Sequence, residues 1–233
     1  MSILYQERTA ASPYIDTVMH GVTVRDGFVI RPAESGWHLV FIRGSGGTRC
    51  LVVGPWTSAG TTRWEAGSEI LWIKFKLGVF MPHFPTRQFM DSEISLPDEA
   101  SKSFWLNSSA WQVPDYQNAE TFIEKLLHEG VLEHDLVVSA VLKGQSPGIS
   151  LRTVRHHFLH ATGMTHSYIR QFERAKRAAA LLQHGFSILD TVDEAGYFDQ
   201  PHLTRALKHF IGHTPKQWLD HSPDENIRLN AAV

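Results

Sequence analysis

The 233-residue sequence lacks several features that would set its class. It has one cysteine, Cys50, and so cannot form an intrachain disulfide. No run of about 18 apolar residues predicts a membrane-spanning helix, and the first residues do not show the basic start and apolar core of a signal peptide. Hydrophobic residues at 42% and charged residues at 20% are typical of folded proteins. We therefore expect a soluble, cytoplasmic protein that makes no contact with a membrane.

Patterns that would indicate catalysis are also missing. The segment GSGG at 44–47 lacks the lysine and the following helix of a phosphate-binding loop. His20, His38 and His83 are too scattered for a metal site built on neighbouring strands. No nucleophile or pair of carboxylates stands out. We expect no enzymatic activity, no metal and no cofactor.

The formal net charge is only −2, but the charge is unevenly distributed. Residues 1–145 contain 12 Lys and Arg against 16 Asp and Glu, whereas residues 146–220 contain nine against six. The second segment also holds eight of the 14 histidines. A basic segment on a mildly acidic chain is what local attraction to phosphate requires.

The first half of the chain has the pattern of an antiparallel β-structure. Short apolar runs at 37–42, 49–54 and 69–76 predict strands, and the glycines of RGSGGT suit a tight turn between the first two. Such spacing is typical of a sandwich or small barrel. A helix follows at 119–130, where Gly130 ends it. All later segments have helical patterns.

The second half contains an internal repeat with an offset of 49 residues. GISLRTVRHHFLHATGMT (148–165) overlays GYFDQPHLTRALKHFIGHTP (196–215), so that Val154 falls on Leu203, Phe158 on Leu207 and Gly163 on Gly212. Helices are predicted at 151–162, with Ser150 as N-cap, and at 201–210. The buried stripe of the first comprises Leu151, Val154, Phe158 and Ala161. Each helix follows another after a short turn, which predicts two helix-turn-helix units.

A helix that enters the DNA major groove needs an apolar back and a polar, basic front. Both repeated helices meet this requirement. Lys208 and His209, further along the second helix, are better placed for phosphates. The predicted DNA-contacting residues are Arg152, Thr153, Arg155, His156, Gln200, His202, Thr204, Arg205 and Lys208. The cluster of His156, His157 and His160 could also be interpreted as a metal site, but a DNA-facing surface explains it more simply.

The predicted connecting helix, Thr165 to His184, has a length that suits two adjacent grooves. Its 20 residues span about 30 Å at roughly 1.5 Å per residue. One turn of B-DNA is about 34 Å. One polypeptide could therefore place two recognition helices in successive major grooves.

At these residues the chain resembles the AraC-type family of bacterial transcription regulators. The resemblance covers about residues 134–219, and its most specific part is the signature from Gly196 to Pro215, GYFDQPHLTRALKHFIGHTP. It implies sequence-specific DNA binding and transcriptional control. Carried over by position, base-reading roles fall on Arg152, Arg155, His156, Gln200, His202 and Arg205. His156 stands where the family commonly has arginine, which weakens a fixed charge.

Residues 52–80 resemble the β-rich, often cupin-like regulatory domain of some AraC-type regulators. In such a domain aromatic residues usually belong to the hydrophobic core, but several could line an effector pocket. The candidates are Trp56, Trp64, Trp72 and Phe75.

We therefore predict an α+β protein of two domains. Residues 1–118 form a β-rich, cupin-like sandwich or barrel for regulation, effector binding or dimerisation. Residues 119–133 are a helical connector, 134–220 the all-α domain with two helix-turn-helix units joined by a long helix, and 221–233 a flexible tail. The predicted partners are double-stranded DNA, RNA polymerase, a small-molecule effector and a second copy bound through the N-terminal domain. Two alternatives stay open, a regulator controlled by a protein partner and a cupin-like enzyme tethered to DNA.

Overall fold

A computed structural model describes residues 3–100 and 102–220 of the chain. Its first part is built of strands and its second of helices, as predicted. The predicted tail at 221–233 lies outside the described residues.

The strands are β1 (Ile3–Thr9), β2 (Ile15–Thr23), β3 (Gly27–Arg31), β4 (His38–Gly44), β5 (Gly47–Val53), β6 (Gly60–Trp64), β7 (Glu69–Phe75), β8 (Val79–Phe80), β9 (Glu93–Leu96), β10 (Asp98–Ala100), β11 (Ser103–Leu106), β12 (Ser109–Gln112) and β13 (Glu133–His134). The helices are α1 (Ala119–His128), α2 (Leu136–Leu142), α3 (Leu151–Thr162), α4 (His166–Gln183), α5 (Ile188–Glu194), α6 (Gln200–Phe210) and α7 (Pro215–Asp220).

Six strands form the main sheet in the order β1-β2-β7-β4-β5-β9, with every neighbouring pair antiparallel. The predicted hairpin at the glycine-rich turn is confirmed, because β4 pairs with β5 up to Gly44 opposite Gly47. Gly47 has a φ of 108°, a conformation that favours glycine.

Both faces of this sheet are covered, because neighbouring residues of a strand point to opposite sides. Leu39 and Phe41 of β4 lie in one core together with α1 and β11. Val40, between them in the chain, lies in a second core with Trp64 of β6. The β3–β6 ribbon thus covers one face and α1 the other.

Helix α1 lies inside the segment predicted to connect the domains. Its Ile123 and Leu126 are completely buried in the core of the β-rich region. Further along the segment, β13 pairs with β8. The segment is therefore packed into the β-rich region, and the exact domain boundaries stay a prediction.

The predicted helical repeat is present, with α4 between the pair α2–α3 and the pair α5–α6. Helix α4 is one residue shorter at each end than predicted. Thr165 is its N-cap, with a side chain that accepts a hydrogen bond from the Tyr168 amide, and His184 is its C-cap. No helix among the described residues has the length and apolar character needed to cross a membrane.

Candidate nucleic-acid interface

The two predicted recognition helices, α3 and α6, begin at equivalent positions of the repeat and end within one residue of equivalent positions. The Ser150 hydroxyl accepts a hydrogen bond from the Thr153 amide at 3.1 Å, and the Asp199 carboxylate accepts one from the His202 amide at 2.7 Å. Each cap satisfies a backbone donor that the first turn leaves unpaired. Gly163 and Gly212, with φ of 72° and 88°, follow the last turns. Both helices are therefore delimited by their own local sequence.

The apolar backs of α3 and α6 are buried at matching positions. Val154, Phe158 and Ala161 are buried in α3, and Leu203, Leu207 and Phe210 in α6. The prediction was wrong for Leu151, which is 88% exposed. It occupies the first position of α3, in register with Gln200, which is also exposed at the start of α6.

The polar fronts of both helices face solvent. Most of the predicted DNA-contacting residues are exposed, namely Arg152, Thr153, Arg155, His156, Gln200, Arg205 and Lys208. His202 and Thr204 are half-buried. His202 packs edge-on against Tyr197, with 5.1 Å between the ring centroids. Each helix thus presents a basic surface opposite its core, as insertion into a groove requires.

The rings of His157 and His160 both lie near the ring of His156, but the three histidines of α3 differ in their other partners. His157 bonds through Nδ1 to the Asp135 carboxylate at 2.7 Å, and Asp135 also caps α2. His160 packs edge-on against Phe80 of β8, with 4.8 Å between the centroids. His156 is exposed on the predicted DNA side. Across the residues that the structure describes, no group of three or more His, Cys, Asp or Glu could hold a metal.

Comparisons with known proteins match this helical region. The profile of a family described as a helix-turn-helix domain matches residues 145–221. The chain is 40% identical over 68 residues to the HTH-type transcriptional regulator RipA of Corynebacterium glutamicum, which covers 29% of this chain and 20% of that protein. It is 34% identical over 107 residues to the HTH-type transcriptional regulator RipA of Corynebacterium diphtheriae, which covers 46% and 31%. These matches support the resemblance of the helical region to the AraC-type family.

The matched segments span less than a third of the lengths of these two regulators. Among solved structures, the crystal structure of apo ToxT from Vibrio cholerae aligns over 94% of this chain and 97% of that one. Its TM-score is 0.35 and its sequence identity 10%, so the similarity is too distant to support further inference.

The β-rich region contacts the last turn of both predicted recognition helices, α3 and α6. The Thr86 hydroxyl donates a hydrogen bond to the Ala161 carbonyl of α3 at 3.1 Å. At α6, the Ala59 amide donates to the His209 carbonyl at 2.8 Å and the Ala33 amide to the Phe210 carbonyl at 2.7 Å. These bonds satisfy carbonyls that a helix end leaves unpaired. The β-rich region is therefore in position to influence how both predicted recognition helices are held.

A half-buried charge network lies beside the segment that contacts α6. Glu34, next to Ala33, lies 2.6 Å from Lys74 Nζ and 2.7 Å from His38 Nε2. Burial opposes ionisation of Glu34, but His38 and Lys74 outweigh it and hold the pKa of the carboxyl well below its usual range. Glu34 therefore stays ionised and paired, which stabilises the segment in its contacting position.

The aromatic residues predicted for an effector pocket do not form one lining. Trp56, Trp64 and Trp72 pack together on the face of the sheet covered by the β3–β6 ribbon. Phe75 lies in the core on the opposite face and stacks against Trp37 with 4.1 Å between the ring centroids. Trp72 and Phe75 are three residues apart on one strand, so their side chains point to opposite faces. Strand alternation in the sequence was a signal that could have separated them.

Proposed function

We propose that this protein is a sequence-specific DNA-binding transcription regulator that inserts α3 and α6 into successive major grooves. The observation that carries the proposal is the pair of equivalent helices, each capped, buried at its back and basic at its exposed front. Helix α4 between them has 18 residues, or about 27 Å at roughly 1.5 Å per residue. That length is close to one turn of B-DNA, about 34 Å.

Within this proposal the exposed arginines have defined roles. Arg152 on α3 and Arg205 on α6 each read a base edge, since a guanidinium can bond guanine through two donors. Lys208, whose Nζ donates to the Gly212 carbonyl at 3.1 Å, lies at the far end of α6 and neutralises phosphate. Removal of one base-reading arginine should therefore degrade one half of the recognised sequence.

Selection from a randomised duplex library at about 150 mM salt tests this function, because physiological salt suppresses non-specific binding. The intact protein should enrich a motif with two parts about 10 base pairs apart. Arg205→Ala should degrade one part, Arg152→Ala the other, and the matched control Arg49→Ala, exposed on β5, neither. If the folded wild-type protein enriches no sequence, the proposed function is wrong.

We also propose that the first region controls DNA binding through its contacts with the last turns of α3 and α6. An effector, a protein partner or a second copy that binds this region would act by changing those contacts, and RNA polymerase would respond to the bound regulator. The bonds from Ala33 and Ala59 to α6 support this route, since they join the two regions directly. Gly212→Ala, which perturbs the same contact, should change DNA affinity without removing any predicted DNA-contacting side chain.

A further inference from the structure

A cleft of about 220 Å³ lies between α4 and α6, beside the exposed front of α6. Residues of α4, among them Gln171 and Arg174, form one wall. His202 and Arg205 of α6 form the other, and Tyr197 closes the end near the start of α6. Arg174 and Tyr197 are not among the residues predicted to contact DNA.

The charged side chains that line this cleft are all basic. Two arginines and two histidines, His202 and His209, line it, and none of its described lining residues is acidic. The nearby Asp199 carboxylate is turned to the backbone, where it caps α6. A cleft with several cationic or donor groups and no carboxylate favours an anion.

Arg174 is held in place by neighbours that do not neutralise it. Its guanidinium lies over the Tyr197 ring, 4.5 Å from the centroid, and Nη1 donates to the Gly196 carbonyl at 3.3 Å. Tyr197 is only 6% exposed and provides a fixed platform. Neither contact supplies a negative charge, so the cation keeps its capacity for an oxyanion.

The other end of the cleft meets the β-rich region. The Tyr168 hydroxyl donates to the Thr57 carbonyl at 2.6 Å and lies 3.1 Å from His209 Nε2. This contact covers one end of the cleft, and Arg205 on the front of α6 is exposed beside it. The front of α6 is the side which, on the proposed function, faces the duplex.

We infer that this cleft binds a phosphate oxyanion, and that its source is the DNA backbone beside the groove that α6 enters. Arg174 supplies the charge, His202 an additional donor and Tyr197 the platform that positions Arg174. The inference rests on the proposed function. Such a contact carries no sequence information, but it sets the register of α6 on the duplex.

The test measures binding of the full chain to the selected duplex and to a scrambled duplex over a range of salt concentrations. Arg174→Gln should weaken both complexes by a similar factor, about tenfold for one charge-assisted hydrogen bond. It should also reduce the slope of log K against log salt by about one. Arg177→Gln is the matched control, since Arg177 lies one turn along α4 and pairs with Glu194 at 3.9 Å. It should leave the slope unchanged.

Two further arms separate a phosphate contact from a structural role and from free phosphate. Arg174→Lys keeps the charge and should keep the salt slope, even where loss of the contact with Gly196 lowers the melting temperature. Duplexes with single neutral methylphosphonates should show one position that weakens wild-type binding but not the binding of Arg174→Gln. If the protein bound inorganic phosphate saturably without DNA, and no methylphosphonate position weakened wild-type binding, the ligand of the cleft would be free phosphate and not the DNA backbone.

The outcomes for the cleft and for the proposed function are distinguishable. If the wild-type protein binds the selected duplex and Arg174→Gln leaves the salt slope unchanged, the proposed phosphate site in the cleft is wrong but the proposed function stands. Failure of the wild-type protein to select any sequence would overturn the proposed function.

Discussion

The two helix-turn-helix units follow one plan but are built into the molecule differently. In the second unit five residues (195–199) separate α5 from α6. Among the described residues, Ala33 is the one buried residue of the β-rich region in the core of this unit. In the first unit eight residues (143–150) separate α2 from α3. Phe158 there shares a core with Phe80 and the half-buried Met90 of the first region. The comparison indicates that side-chain packing attaches the first unit to the β-rich region. The second unit is attached mainly by contacts at the C-terminal end of α6.

This difference has a consequence for regulation. An apolar core shared between two regions couples their stability, whereas a few hydrogen bonds at a helix end can open locally. We therefore expect α3 to keep its orientation relative to the β-rich region and α6 to be the recognition helix that can be released.

The largest expected effect comes from truncating equivalent core residues. Phe158→Ala should cost about 3–5 kcal/mol of unfolding free energy, and Leu207→Ala about 2–5 kcal/mol. Because Phe158 contacts the core it shares with the first region, its loss should also raise hydrogen exchange in β8. The effect of Leu207→Ala should stay within α4 to α7. Denaturant unfolding combined with residue-resolved hydrogen exchange measures both effects. If both variants raised exchange in β8 to the same extent, the proposed difference in attachment would be contradicted.

A smaller effect is expected at the two glycines that follow the recognition helices. Alanine at either position incurs about 1–2 kcal/mol for the left-handed backbone. At Gly212 a Cβ would also lie 2.6 Å from Ile30 Cγ2, whereas at Gly163 the nearest atom is Met90 Sδ at 3.3 Å. Gly212→Ala should therefore release α6 from the β-rich region.

Hydrogen exchange of the Ala33 and Ala59 amides reports this release, because they donate to the last carbonyls of α6. Both amides should exchange faster in Gly212→Ala, and Gly163→Ala is the matched control that should leave them protected. Unchanged protection in Gly212→Ala would show that the contact does not depend on a small residue at 212.

The N-caps are expected to give the smallest difference. Ser150→Ala and Asp199→Ala should each cost about 0.5–2 kcal/mol. Asp199 should be at the upper end, since its bond is shorter and its charge interacts favourably with the helix dipole. Thermal unfolding of the two variants checks the order. A larger loss for Ser150→Ala would mean that α3 depends on its cap more than its anchored position suggests.

Local features of the fold were predictable from the sequence. The cap Ser150, the glycines after each helix and the buried stripe all depend on residues close in the chain, and the 49-residue offset showed the glycines and the stripe twice. Asp199 is the equivalent N-cap of α6, which was not predicted although the same offset places it opposite Ser150. The hairpin at Gly47 was predictable for the same reason. The exposure of Leu151 was not predictable, because periodicity alone does not show which apolar residue at a helix end is left uncovered.

Features that depend on contacts between distant segments were not predictable. Nothing in the residues around Gly212 indicates that Ile30 lies against it. The role of Arg174 was likewise hidden, because it is defined by Tyr197 of the following unit. The basic run RQFERAKR in α4 was the available signal, but it does not show which arginine borders a cleft.

The most direct test of two-groove binding is the affinity for the selected site as a function of the spacing between its two parts. Insertion of about five base pairs rotates one part by half a helical turn, and about ten restores the face but adds roughly 34 Å. Because α4 is a single helix of fixed length, both insertions should reduce affinity to that of an isolated half. Affinity independent of the spacing would contradict simultaneous binding by α3 and α6 of one chain.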